Sequence, residues 1–192
     1  MFSFSPHRSR LNARPEELMV VPDGIDPYDA IFLPAVETAL GLIHDANPLV
    51  GERVGVVGQG LIGLLVTAVL AGRGFDVTAF EITKSRQALS ALLGAMTVLD
   101  PRNTSFDDDL DCAVEVTGVG AGLQTAIDRT GGGGRIIIGS LFGKGEVALR
   151  LGMDFHRSKK EVSRSVQQGG RVALRLRSPC TVRLAARDLP GV

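Results

Sequence analysis

The chain has 192 residues, with 21 basic and 21 acidic side chains and no net charge, so nothing global points to nucleic acid or an anionic membrane. Its longest apolar stretch, Leu61–Ala71, is too short to span a bilayer, and Cys112 and Cys180 form neither a disulfide framework nor a zinc-type pair. Hydrophobic residues at 44% suffice for a substantial core in one domain, or one domain plus part of a second, in a reducing, cytoplasmic setting.

Residues 1–15 carry three Arg, one His and no acid, a composition that suits an organelle leader. The segment runs straight into patterned sequence, so a ragged start is expected instead. Pro22, Asp23, Gly24, Asp26 and Pro27 then mark a turn. From Tyr28 to Ala46, Ile31, Ala35, Ala39, Leu42 and Ile43 recur at three-to-four spacing, which predicts an amphipathic helix. His44 near its end suits the helix dipole rather than a ligand role.

Arg53 to Glu81 holds the densest pattern. Val54–Val57 predicts a strand buried on both faces. Gly58, Gly60 and Gly63 follow at the spacing of a dinucleotide fingerprint: a tight turn, close approach to a pyrophosphate, and close packing of the next helix. A helix starting near Leu61 points its free N–H groups at that pyrophosphate. Phe75–Phe80 predicts the second strand, and Glu81 ends it, 23 residues after Gly58 and 18 after Gly63. Strand, turn, helix, strand and acid in order favour nucleotide binding over an ordinary βα turn.

A second helix is expected to end at Gly94, followed by a strand at Met96–Leu99 and a turn at Asp100–Asn103. Asp107, Asp108 and Asp109 lack the spacing of a calcium loop and suit a solvated loop. Cys112–Val116 predicts the fourth strand, Gly122–Arg129 a helix, Gly131–Gly134 a turn, and Arg135–Gly139 the fifth strand, ending in Ser140. This alternation predicts an α/β fold: a doubly wound, mostly parallel Rossmann sheet flanked by helices, with an incomplete second domain. From Val166 onward five Arg face one Asp, and no aromatic residue is present for base stacking, so a poorly ordered tail is expected rather than a nucleic-acid surface.

From about Ala13 to Gln167 the chain resembles the cofactor-binding half of the medium-chain, zinc-type alcohol dehydrogenases. VPDGIDPYDAIFLPAVETALGLIHDA resembles the linker and helix before that family's first Rossmann strand, and VGVVGQGLIG its fingerprint. LLGA, EVTG, GGGGRIIIGSLFG and DFHRSKKEVSRS resemble, in order, the segments around its third to sixth strands. The resemblance implies residues 1–30 as a remnant of an N-terminal catalytic domain and linker, 31–167 as the dinucleotide-binding domain, and 168–192 as an Arg-rich tail. It also implies hydride transfer to or from a nicotinamide. The family's zinc ligands and their Gly-His-Glu stretch have no counterpart here, since His7, His44 and His156 lie in no such stretch. A chain lacking the zinc site, and not competent alone, is therefore expected.

Carried over residue by residue, Gly58, Gly60, Leu61, Ile62 and Gly63 hold the pyrophosphate. Glu81 accepts from the adenosine ribose hydroxyls, and Arg86 also reaches the ribose. Val116 and Thr117 flank the adenosine side, while Ile138, Gly139 and Ser140 border the nicotinamide. A carboxylate at Glu81 favours NAD over NADP, although Lys84 and Arg86 could neutralise a 2′-phosphate. Two other readings stand beside this one. One is an S-adenosylmethionine-binding methyltransferase-like domain. The other is a non-catalytic NAD-binding module that forms a homodimer through the sheet edge, around Val162–Val166.

Overall fold

Short β-branched runs make the centre of one sheet. Val54–Val57 (β1), Val77–Phe80 (β2), Thr97–Leu99 (β3), Leu110–Glu115 (β4), Thr130–Ile138 (β5), Glu161–Arg164 (β6) and Val172–Leu174 (β7) pair in the order β3-β2-β1-β4-β5-β6-β7. The computed structural model describes residues 9–18, 20–103, 109–143, 146–165 and 172–174. His7, Asp107, Asp108, Cys180 and nearly all of the Arg-rich tail lie outside the described residues. Pairings from β3 to β6 are parallel, and β7 joins β6 antiparallel. The chain leaves β1 towards β2 and returns to β1's other side as β4. The crevice beyond the carboxyl ends of β1 and β4 is thus the topological switch point, where ligands of open α/β sheets bind.

Helices cover both faces: Pro27–Ala30 (α1), Leu33–Ala46 (α2), Leu61–Gly72 (α3), Lys84–Leu92 (α4), Gly120–Arg129 (α5) and Met153–Arg157 (α6). Because successive strand side chains alternate between faces, the sheet has two cores. On one face Val54, Val56, Cys112, Val114 and Ile137 pack under Leu42 and Ile43 of α2 and Val66 and Leu70 of α3. On the other, Val57, Ala113, Ile136, Ile138 and Val162 pack under Leu123, Ala126 and Ile127 of α5. Among the described residues no helix is long and apolar enough to cross a membrane.

Four features differ from the sequence pattern. The helix expected from Tyr28 to Ala46 breaks into α1 and α2 at Ile31–Phe32. Pro34 in the first turn of α2 lacks an N–H and disfavours helical backbone in the residue before it, so it starts a helix more readily than it continues one. β5 runs through Gly131–Gly134, expected as a turn, and its register against β4 shifts between Leu110 and Cys112. A Cβ at Gly131 would collide with Asp109 and one at Gly134 with Thr130, so glycine lets β5 begin inside the sheet. β4 accordingly starts at Leu110, two residues before Cys112. Finally, the edge of β6 that the sequence leaves for a second copy is paired by β7 of the same chain, and Val162 is buried in the core. The main-chain groups a partner strand would need there are already bonded.

One side chain ties α2 to the sheet. Arg135 of β5 donates to the carbonyls of Ala46 and Asn47 at the end of α2 and forks onto Glu52. Its guanidinium holds the Glu52 carboxyl below the ordinary value of 4.5. A carboxyl lowered on folding contributes stability above its unfolded value and loses it as pH falls through the folded one. Arg135→Met is therefore expected to cost about 2 kcal/mol at neutral pH. Urea melts should also show a smaller difference between variant and wild type as pH drops below about 4.5.

Candidate functional site

The turn after β1 is shaped by two glycines. Gly58 has φ +94°, a backbone that side chains rarely adopt, and its N–H donates to Phe80 O at 2.8 Å. Gly63, in the first turn of α3, lies so close to this turn that an added Cβ would overlap the carbonyl of Gly58. Gly60 is different: a Cβ there would meet nothing within 4 Å. α3 bonding begins with Leu64 N–H to Gly60 O at 2.9 Å, and no side chain caps the helix. The N–H groups of Leu61, Ile62 and Gly63 therefore have no helical acceptor. The Ile62 side chain packs against the core while its main chain faces the turn.

Glu81 closes the site from β2. Its carboxylate is 6% exposed and accepts from three backbone N–H groups at 2.8 Å each: Gln59 on one oxygen, Ile82 and Thr83 on the other. Burial pushes its pKa up, but these donors outweigh it and hold the carboxyl below 4.5, so it is ionised at neutral pH. Gln59, fully buried, fixes the turn from beneath. Its amide donates to Val56 O at 3.1 Å and accepts from Thr67 of α3 at 3.0 Å and Ser90 of α4 at 3.1 Å. Gln59 occupies a variable place in the fingerprint. The one clue to it in the sequence is a polar residue among apolar neighbours.

Gly58, Gly60, Glu81, Arg86, Val116 and Thr117 line one cleft of about 470 Å³, together with Ile82, Pro101, Arg102, Val119 and the start of α5. Leu61, Ile62 and Gly63 form the first turn of α3, directly after the glycine turn, and are not part of that lining. Ile138, Gly139 and Ser140 lie at the neighbouring strand end, outside the lining of this cleft. There the Ile138 side chain turns into the core and Gly139 N–H donates to Glu115 O. Ser140 Oγ accepts from Gly118 N–H at 2.7 Å and so ties the end of β5 to that of β4.

The sequence pattern missed two charged groups. Glu115 is fully buried at the end of β4; one oxygen accepts from the Thr117 N–H and hydroxyl, and the other has no hydrogen-bond partner among the described residues. Burial pushes its pKa up against the lowering effect of the Thr117 bonds. Arg102, just after β3, donates through Nε and Nη2 to Asp100 at 3.0 and 2.7 Å and through Nη2 to Ile82 O at 3.3 Å. These bonds hold Asp100 down to about 2. A D-P-R turn is common, and nothing in it announces that the arginine folds back to a second strand end.

Among the described residues no three His, Cys, Asp or Glu side chains converge as a metal site. These residues do not fit a zinc ion, which needs at least three protein ligands. They do fit a dinucleotide, through an open backbone at Gly60, unpaired N–H groups at the start of α3 and an ionised carboxylate in the same cleft.

No protein-family model matches the chain. It is 32% identical over 142 residues to (R,R)-butanediol dehydrogenase of Bacillus subtilis (strain 168), covering 68% of this chain and 40% of that one. The crystal structure of 2R,3R-butanediol dehydrogenase from Bacillus subtilis superposes with a TM-score of 0.69 at 29% identity, covering 79% of this chain and 46% of that one. Two further structures share the fold: acetophenone reductase from Geotrichum candidum NBRC 4597 in complex with NAD, and a protein of Sinorhizobium meliloti 1021 assigned as a zinc-binding dehydrogenase and bound to NADP. The first has a TM-score of 0.67 at 22% identity and covers 80% of this chain and 45% of its own. The second has a TM-score of 0.71 at 20% identity and covers 78% and 47%. The chain thus spans less than half the length of the relatives it matches.

The two close glycines make separable predictions. Gly63→Ala forces α3 away from the turn and is expected to cost about 2–3 kcal/mol, as overpacking does. Gly60→Ala, with open space around the new methyl, is expected to melt within a degree or two of wild type. Thermal unfolding of the two variants side by side checks both.

Proposed function

The described domain is a Rossmann domain of the kind found in zinc-type medium-chain alcohol and polyol dehydrogenases, and on that footing we propose that its cleft binds NAD. The observation that carries this reading is the ionised, nearly buried carboxylate of Glu81 in the same cleft as the open backbone of Gly60. In this reading the N–H groups of Leu61, Ile62 and Gly63 face the pyrophosphate. Glu81 has three of its roughly four lone-pair positions filled and accepts a ribose hydroxyl with the fourth.

NAD is preferred to NADP because a fixed anion meets the 2′ position. Lys84 and Arg86 are exposed and Arg86 lines the cleft beside that anion, so they reduce the preference without reversing it. Val116 and Thr117 support the adenosine. Ile138, Gly139 and Ser140 fix the strand end beside which the nicotinamide lies; Ser140 does so by holding Gly118.

When bound, the nicotinamide gives or takes a hydride. This chain's residues orient the cofactor and shield it from water. The substrate class carried over from the relatives is an alcohol or polyol. A homodimer through the β7 side of the sheet would use the outer edge of β7, since β6 is already paired.

NADH titrated into the protein is expected to give a saturable change in nicotinamide fluorescence, with weaker binding of NADPH. Gly60→Ala is expected to weaken NADH at least about tenfold, equivalent to 1.4 kcal/mol, with unchanged melting, because the methyl occupies the space of the pyrophosphate. A melting temperature raised by S-adenosylmethionine but not by NADH would overturn the reading.

A further inference from the structure

The structure assigns to Arg102 the role of a stacking platform for the adenine ring, an inference that rests on the nucleotide reading of the cleft. A purine in a protein cleft is held by its flat faces, and the usual partner is an aromatic ring or a guanidinium plane. Among the described residues Phe80 is the one aromatic residue lining this cleft, and at 1% exposed it has no face to offer.

Arg102 supplies the missing plane. Its Nε and Nη2 hydrogens lie along the Asp100 carboxylate, and Nη2 also reaches the Ile82 carbonyl. All three bonds lie at the edge of the guanidinium, which leaves its faces unused, and the side chain is 60% exposed. The Asp100 carboxylate is itself held in place, since it also accepts from the Arg102 backbone N–H at 3.0 Å. Arg86, the other arginine of the cleft, is unlike it: no side-chain hydrogen bond fixes its guanidinium among the described residues.

Position agrees with chemistry. Ile82, whose carbonyl receives Arg102, follows Glu81 directly. In a nucleotide the base hangs from C1′, next to the carbon that bears the 2′-hydroxyl. A ribose held at Glu81 therefore carries its base into the space beside Ile82 and Arg102. Val116 and Val119 add apolar surface to the lining of the same cleft. Arg102 is thus a binding residue for the base, and Asp100 positions it.

ADP-ribose, NADH and NADPH titrated into wild type, Arg102→Leu and Arg102→Lys test this, with melting curves to confirm that the variants fold. Arg102→Leu is expected to weaken all three ligands about tenfold. Arg102→Lys keeps the charge but loses the plane, so it is expected to behave like Arg102→Leu. Wild-type affinity in Arg102→Leu overturns the assignment alone. So does rescue by lysine, or a loss confined to NADPH, since either would make Arg102 a charge partner for phosphate. Failure of the wild type to bind any of the three overturns the nucleotide reading and the assignment together.

Discussion

A carboxylate sealed at the end of a strand must find donors, and Glu81 finds three in the backbone around it. The most consequential is the N–H of Gln59, because it belongs to the glycine turn of the neighbouring strand. Through that bond the end of β2 fixes the Gly58–Gln59 peptide, and the Gln59 side chain ties the turn to Thr67 of α3 and Ser90 of α4. Two strand ends and two helices therefore share one small polar cluster inside an apolar fold. Such a cluster stabilises when every member is satisfied and is costly when one is lost. The glycine turn and the Glu81 carboxylate are in this sense one unit.

Most of this architecture was legible because the signals are local. β1 has a β-branched run, Gly58 and Gly63 stand where a tight turn and a close helix require them, and Glu81 ends the next strand. Alternating strands and helices with short connections imply the doubly wound parallel sheet. What escaped depends on packing and backbone geometry that spacing alone does not show. Gly131–Gly134 looks like a flexible turn until Asp109 and Thr130 close around it and make it the start of β5. Ile31–Phe32 continues an apolar period, and only the geometry of Pro34 breaks the helix there. The pairing of β7 with β6 joins two segments whose composition gives no hint of one another.

The site was legible unevenly for the same reason. Residues of the fingerprint announce themselves by spacing, whereas Gln59, Arg102 and Glu115 matter through burial and through partners on other elements. Ile138, Gly139 and Ser140 show a subtler limit. Their place at a strand end was readable, but which of their groups would be used internally was not: the Ile138 side chain faces the core and the Ser140 hydroxyl holds Gly118. Glu115 sets a second limit. Its raised pKa has the opposite sign to the lowered values of Glu81 and Glu52, so the acids beside one sheet respond to pH in opposite directions.

Cys112 lies in β4, the strand between β1 and β5, fully buried, with its thiol pushed up to about 11 by burial. A thiol there is neither ionised nor reachable while the central strands stay paired. Its rate of covalent labelling is therefore a clock for separation of the sheet's middle, as amide exchange is for single hydrogen bonds. In a chain whose Cys180 is replaced by serine, that clock would read the kinetic lifetime of the folded core, and any ligand that slows it must grip the native sheet.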